Sequence, residues 1–365
     1  MRILRNYILK EFFVLFFLSL GLFTFVMLLG NIIKIANLII SKKVDFIEIM
    51  KLFGYFIPYL LTYTIPISIL TALLISLGRL SSDNEIIAMR ASGINIIYLI
   101  IPLLVIGLIF SLILFILNDS IIPYTHFASR KAITEIGIKN PAAFLEPGVF
   151  IDSFQNYVIF IYHIQENKIY NIRIYEPQPD NRPARTIIAK KGEFVSIPEK
   201  SMVKLKLIDG TSDEPDPENP YNFYKLNFKT YFINLNLSNS IQQIQKEKKP
   251  KDMNFKELRQ YIEKMKKMGV DTTPAISHLQ ERMALSFYCF IFALIGSAIG
   301  LITRRREKSI NLGVAFLIVG IYYLLLLGAE ALCMNGFIKP QIGMWLPNIL
   351  LGILGISLLY RLCRM

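Results

Sequence analysis

The stretch RLSSDNEIIAMRASGIN, residues 79–95, is a charged island between two long apolar runs, and its side chains have the clearest chemical spacing in the chain. Ser82 and Glu85 stand three apart, the arrangement of a capping box in which a hydroxyl and a carboxylate satisfy the first amides of a helix. Ile86, Ile87 and Met89 give that helix an apolar side, and Gly93 is placed to end it. Two roles fit Glu85. Either it caps its own helix and the segment only turns the chain, or the helix is a rigid knob carrying an acid toward a cytosolic partner. A turn between adjacent helices needs only a few residues, and a cap is worth about 1 kcal/mol, so both roles can coexist.

A second residue with a chemical use is Lys34, 24 residues beyond Lys10, or ~36 Å along a helix at 1.5 Å per residue. That length carries its ammonium across the hydrocarbon to the far headgroups. There, on spacing alone, it reads as a snorkelling interfacial side chain.

Catalytic signatures are missing from the sequence. It contains neither G-x-x-x-x-G-K-[ST] nor G-x-S-x-G, so neither a phosphate-binding loop nor a nucleophile elbow is expected. His126, His163 and His278 stand apart, without H-E-x-x-H or a cysteine at ligand spacing, and no metal or other cofactor is expected. Ser297, in IGSAIG, belongs to the pattern Gly296-x-x-x-Gly300, which serves close helix packing. An enzyme would have to assemble its site from scattered residues.

The elements that position these residues are membrane helices. The 365 residues are 53% hydrophobic, with mean hydropathy +0.46, and the apolar residues are bunched into runs long enough for a bilayer. Candidate spans are Phe12–Ile33, Gly54–Gly78, Ile96–Leu117, Met283–Ile302, Ile310–Ala329 and Ile342–Tyr360, and none of them contains Asp, Glu, Lys or Arg. Pro58, Pro66, Pro102 and Pro347 fall inside spans as candidate kinks. The N-terminal run has the basic start of a signal peptide, but it is too long and lacks a small-residue cleavage site, so it reads as a retained first helix.

Arg2, Arg5, Lys10, Arg79, Arg90, the RRREK turn at Arg304–Lys308, Arg361 and Arg364 all fall on one side of these crossings. The excess of positive charge makes that side cytoplasmic, with both termini inside. Lys42, Lys43 and Lys51 oppose it from the outer side. The net charge of +13 is spread over loop ends instead of forming one stripe. It therefore points to anionic lipid and not to nucleic acid.

This topology exports the middle of the chain. NYVIFIYHIQENKIYNIRIYE, residues 156–176, reads as a hairpin, and ARTIIAKKGEFVSI, SMVKLKLIDG and NFYKLNFKTYFINLNL continue the alternation. An all-β sandwich or jelly-roll-like domain of about 100 residues is expected. Cys289, Cys333 and Cys363 lie in or beside spans, so no disulfide staples it. Asn254 and Glu257 form a second capping box, opening an amphipathic helix that Gly269 can end. The division is then residues 1–118 with spans one to three and a short helix at about 81–93, 119–252 with the β domain and its linkers, 253–282 with the connecting helix, and 283–365 with spans four to six.

Three helices, an exported β domain, three more helices, and LGRLSSDNEIIAMRASGIN after span two together resemble the LptF/LptG permeases of the lipopolysaccharide transport complex. HLQERMALSFYCFIFALIGSAIGL is similar to that family's fourth helix and MWLPNILLGILGISLL to its last, so the resemblance covers essentially the whole chain. It implies an α-helical membrane protein with six transmembrane helices (3+3) and an inserted periplasmic jelly-roll-like domain, in the bacterial inner membrane.

The resemblance also implies partners: a paralogous permease subunit, a dimeric cytosolic ABC ATPase (LptB-like), a periplasmic bridge protein (LptC/LptA-like) and lipopolysaccharide. The ATPase would dock on the helix matching Ser82–Ser92, with Glu85, Ser82 and Arg90 as coupling residues. GNIIKIANLIISKK resembles the outer end of the LptG first helix, whose lysines contact the phosphorylated glucosamine head. Lys34 matches directly, Lys42 and Lys43 with a small offset, and Arg130 after span three is a weaker candidate. Asn37 stands where familiar LptG sequences have an acid. The function implied is extraction of lipopolysaccharide driven by ATP hydrolysis in the partner. A membrane-anchored β domain that binds a lipid or lipoprotein without ATP-driven extraction is the alternative, and a lipid-modifying enzyme the third reading.

Overall fold

The computed structural model describes residues 2–40, 46–139, 148, 150–154, 157–165, 168–177, 184–197, 202–215, 223–236, 248–303 and 308–364. These fall into two compact units, one of residues Met1–Asn31, Gly54–Phe127 and Lys249–Met365, the other of Ile32–Phe53 and Ala128–Lys248.

The first unit is helical. Its helices are α1 (Arg2–Ile40), α2 (Phe46–Ser82), α3 (Glu85–Ala91), α4 (Ile97–Ile116), α5 (Ile122–Lys139), α6 (Phe255–Lys267), α7 (Thr273–Ser286), α8 (Tyr288–Ile302), α9 (Lys308–Met334), α10 (Pro340–Gly343) and α11 (Leu346–Arg364), with α1, α2 and α5 running on into the second unit. Five described stretches are long and apolar enough to cross a membrane: Arg2–Gly30, Met50–Ser82, Ile97–Ile133, Ile310–Met334 and Pro340–Leu362. The pair α7 and α8, bent by 45°, makes a sixth if taken as one span.

The centre of this unit is α2, whose Leu70, Leu73, Leu74 and Leu77 are fully buried. The small-residue pattern on α8 meets it there. A Cβ on Gly300 would lie 3.0 Å from the Leu73 carbonyl, and one on Gly296 3.2 Å from the Leu73 Cβ. Absence of side chains lets the two backbones approach, as the Gly296-x-x-x-Gly300 spacing predicts.

Span four departs from the continuous helix expected over Met283–Ile302. The helix starts ten residues earlier, at Thr273, and breaks at Phe287. Ser286 Oγ donates back to the Arg282 carbonyl at 2.9 Å, and the Phe290 amide donates to Ser111 Oγ at 3.0 Å. Both bonds compete with the regular ladder, which is a recognised cause of bends. Span three runs on where a boundary was expected near Leu117: a π-helical turn at Leu117–Ile121 joins α4 to α5 without interruption. Pro347 falls in the first turn of α11, where a missing amide costs nothing. Arg304–Glu307 of the basic turn lie outside the described residues.

The connecting helix α6 has the capping box read from the sequence. Asn254 Oδ1 accepts from the Glu257 amide at 2.7 Å, and Glu257 Oε2 accepts from the Asn254 amide at 3.2 Å. Gly269, at φ +73°, ends it as expected. Its apolar face packs on the helices: Phe255 and Leu258 form one cluster with Leu279 of α7, and the Phe255 ring lies 5.2 Å from Phe115 of α4.

The second unit contains a six-stranded antiparallel sheet in the order β1 (Phe150–Phe154), β2 (Tyr157–Gln165), β3 (Lys168–Glu176), β4 (Arg185–Ile197), β5 (Met202–Pro215) and β6 (Phe223–Asn236). The antiparallel β domain thus stands where the alternation put it. Its described strands form a meander in one sheet, however, without the crossover order of a jelly roll.

That sheet is creased. In a straight strand, residues three apart lie on opposite faces, yet Ile169 and Ile172 of β3 are both fully buried in one cluster. The paired positions skip Asn171, Lys190 and Asp209 in neighbouring strands, and Asn171 and Asp209 have positive φ, 53° and 52°. Side-chain alternation slips by one along this line, so the flanks turn toward each other. Arg185 Nη2 accordingly reaches the Tyr231 hydroxyl, at 3.3 Å, from the other side of the crease.

Candidate functional site

The turn between α2 and α4 is built by burial on both sides of it. Leu80 and Ser81 are buried, with Ser81 Oγ donating to the Leu301 carbonyl at 3.1 Å, and this packing extends α2 through Ser82. The chain reverses at Asp83 and Asn84, the latter in the left-handed region at φ +60° that asparagine tolerates better than most residues. The capping box expected at Ser82 and Glu85 therefore does not form. Ser82 Oγ donates at 2.9 Å to the Arg79 carbonyl inside α2, and Asn84 takes the N-cap position of α3. The other end matches expectation. Gly93, at φ +77°, donates to the Arg90 carbonyl at 2.9 Å and Ile94 to that of Met89 at 3.0 Å, a Schellman closure.

The helix is held by Ile86 and Met89, which join Ile8, Phe12 and Phe16 of α1 in one apolar cluster. Arg90 turns inward, Nη2 donating to the Leu362 carbonyl at 2.9 Å and so satisfying one of the last carbonyls of α11. What faces outward is Ile87, Ala88 and Ala91, with Asp83 beside them. The short helix thus presents an apolar face, with the carboxylates of Glu85 at its start and Asp83 beside it.

Glu85 belongs to a charged group that its own segment does not reveal. Arg79 is its hub. The guanidinium makes two short bonds to Glu11 of α1, Nε to Oε1 at 2.5 Å and Nη2 to Oε2 at 2.6 Å, and donates to the Tyr7 hydroxyl at 2.7 Å. Nη1 reaches Glu85 Oε1 and Asp83 Oδ2 only at 3.4 Å each. Three carboxylates thus share one guanidinium, and the most sheltered of them, Glu11 at 16% side-chain exposure, has the best geometry. Sequence analysis took Arg79 only as a topology charge, although its four-residue spacing to Asp83 is a pairing signal. Glu11, 68 residues away, gave no such signal.

Lys34 lies on α1, Arg130 is half-buried on α5, and Lys42 and Lys43 lie outside the described residues. A second polar cluster, missed by the sequence reading, sits where α4, α6 and α7 meet. Buried Arg282 donates from Nη1 to the Met253 carbonyl at 2.8 Å and from Nη2 to the Asn118 carbonyl, with its guanidinium 5.1 Å from the Phe255 ring centre. Asp119 Oδ1 accepts from the Phe255 amide at 2.8 Å. The π-helical turn supplies both Asn118 and Asp119, and such turns often mark sites where a regular ladder is traded for a specific contact.

The model of a family described as lipopolysaccharide export system permease LptF/LptG matches residues 6–361. The lipopolysaccharide export system permease protein LptF of Escherichia coli K12 is 20% identical over 331 residues, covering 90% of this chain and 86% of its own. An uncharacterized protein of Rickettsia prowazekii is 23% identical over 261 residues, 71% of each chain.

Proposed function

The chain belongs to the LptF/LptG family of lipopolysaccharide export system permeases, and on that premise we propose that it is the transmembrane half of an ATP-driven extractor, taking lipopolysaccharide from the outer leaflet of the inner membrane to a periplasmic bridge. As a family member it is a transporter subunit, with several helices fit to cross the membrane. The chain has no phosphate-binding loop, so the nucleotide chemistry belongs to a cytosolic ABC-type ATPase dimer. Force enters at the turn between α2 and α4, which the positive-inside rule puts in the cytoplasm together with both termini.

The observation that carries this reading is the mounting of α3. Its Ile86 and Met89 are packed with α1, while Ile87 is exposed and Glu85, with Asp83 before the helix, is held only by contacts of 3.4 Å. A knob fixed to the first helix transmits displacement instead of absorbing it, so movement of the ATPase would rock the transmembrane helices. At the other end Lys34, Lys42, Lys43 and Arg130 would supply cations for the phosphorylated headgroup. The creased β sheet would shield acyl chains, since each exposed CH₂ costs about 0.8 kcal/mol. A second permease of the family and a bridge protein of similar β architecture complete the assembly.

Isolation of the chain from native membranes, with mass spectrometry of the proteins and lipids that accompany it, tests the proposal. An ATPase, a second permease and lipopolysaccharide or a phosphorylated relative are expected. Recovery of the chain with a periplasmic lipoprotein and no ATPase would overturn it in favour of a scaffold.

A further inference from the structure

Glu11 spends its charge on Arg79 at the cost of Glu85. The guanidinium has one position and several carboxylates within reach, and its two short bonds go to Glu11, leaving contacts of 3.4 Å to Glu85 and Asp83. Charge in the group does not balance: Glu11, Asp83 and Glu85 are three anions, and among the described residues Arg79 is the cation that meets them. The excess negative charge lies on the two more exposed members, at 31% for Glu85 and 40% for Asp83. It sits beside exposed Ile87.

We infer that Glu11 is a positioning residue: by occupying Arg79 it keeps the Glu85 carboxylate available for a cation of a cytosolic partner. The inference rests on the proposed coupling role of α3 only for the identity of that partner. The electrostatic argument is independent of it. Arg79 lies in the last turn of α2, and Glu11 lies next to the buried Phe12 and one turn from the buried Ile8 of α1, so the pair also ties α1 to α2 at this end. If Glu11 loses its charge, Glu85 and Asp83 become the best acceptors left for the guanidinium. A bidentate pair with Arg79 then withdraws the coupling acid from any partner. Removing Arg79 as well returns it.

The test has two readouts on the full-length chain in detergent or nanodiscs. Without any ATPase, the Glu85 carboxyl is labelled with a carbodiimide and glycine ethyl ester and quantified by mass spectrometry. Glu11→Gln is expected to lower labelling of Glu85 at least threefold, and Glu11→Gln with Arg79→Gln to restore it to within twofold of the parent. Unchanged labelling in Glu11→Gln, or a loss that the double substitution fails to reverse, overturns the inference; in the second case the group is only a structural tie. With the cognate ATPase added, its retention on the immobilised chain is expected to follow the same order, falling at least fivefold and recovering. If labelling follows the expected order while retention does not respond, Glu11 governs Glu85 as inferred and the coupling reading fails instead.

Discussion

Replacing Arg282 by Met measures what the junction of α4, α6 and α7 contributes. The methionine keeps most of the apolar length and removes two donors. The Met253 and Asn118 carbonyls lose their charged partner, at about 1–3 kcal/mol each for a buried acceptor left unsatisfied. Loss of the contact with the Phe255 ring adds about 0.5–2 kcal/mol. Against this stands relief of the burial of a guanidinium that is only 5% exposed and whose Nε is buried with no hydrogen-bond partner among the described residues. Burial of an ion costs several kcal/mol, so we expect a net destabilisation of about 3 kcal/mol. At roughly 2–4 °C per kcal/mol, the melting temperature in one detergent falls by about 6–12 °C. Arg282→Lys sharpens the test, because it keeps the buried charge while a single ammonium cannot bridge both carbonyls and stack on the ring. It should melt no higher than the methionine variant. A shift below 2 °C for Met, or a lysine variant as stable as the parent, would refute the reasoning that the forked donors hold this junction.

Three further outcomes follow from the packing. Asn254→Ala removes the side-chain acceptor of the Glu257 amide and should cost about 1 kcal/mol, read as faster hydrogen exchange at the first turn of α6 with little change elsewhere. Gly300→Leu places side-chain atoms where a Cβ alone meets the Leu73 carbonyl at 3.0 Å, and should cost about 1–3 kcal/mol of stability through overpacking, read as a lower melting temperature. Gly320→Ala on α9, where a Cβ meets nothing within 4 Å, should be neutral or stabilising by up to ~1 kcal/mol in the same assay.

The features legible in the sequence are those set by neighbours along the chain. The capping box at Asn254 and Glu257, the helix stops at Gly93 and Gly269, and the close approach at Gly296 and Gly300 all depend on spacings of a few residues, and all are present. The Ser82 box had the same local spacing and did not form, because Ser81 bonds Leu301, 220 residues away, and carries α2 past it. Long-range partners also explain the break at Phe287, which uses Ser111, and the Glu11–Arg79 pair. The crease in the sheet needs Asn171, Lys190 and Asp209 to fall on one line across strands, and register is invisible to alternation within one strand. The resemblance to a family supplied the proposed role of the α2–α4 turn, where spacing alone left Glu85 between a cap and a docking acid. The structure frees it from the cap expected at Ser82 and sets it beside Arg79 and Tyr7.

The central claim is that force enters through Glu85. It is tested most directly in proteoliposomes holding the chain, its paired permease and the ATPase, by following ATP-driven transfer of lipopolysaccharide to a soluble acceptor when Glu85 is replaced by Ala. The account predicts at least a tenfold loss of transfer with the chain folded and inserted as before; transfer at the parental rate would contradict it.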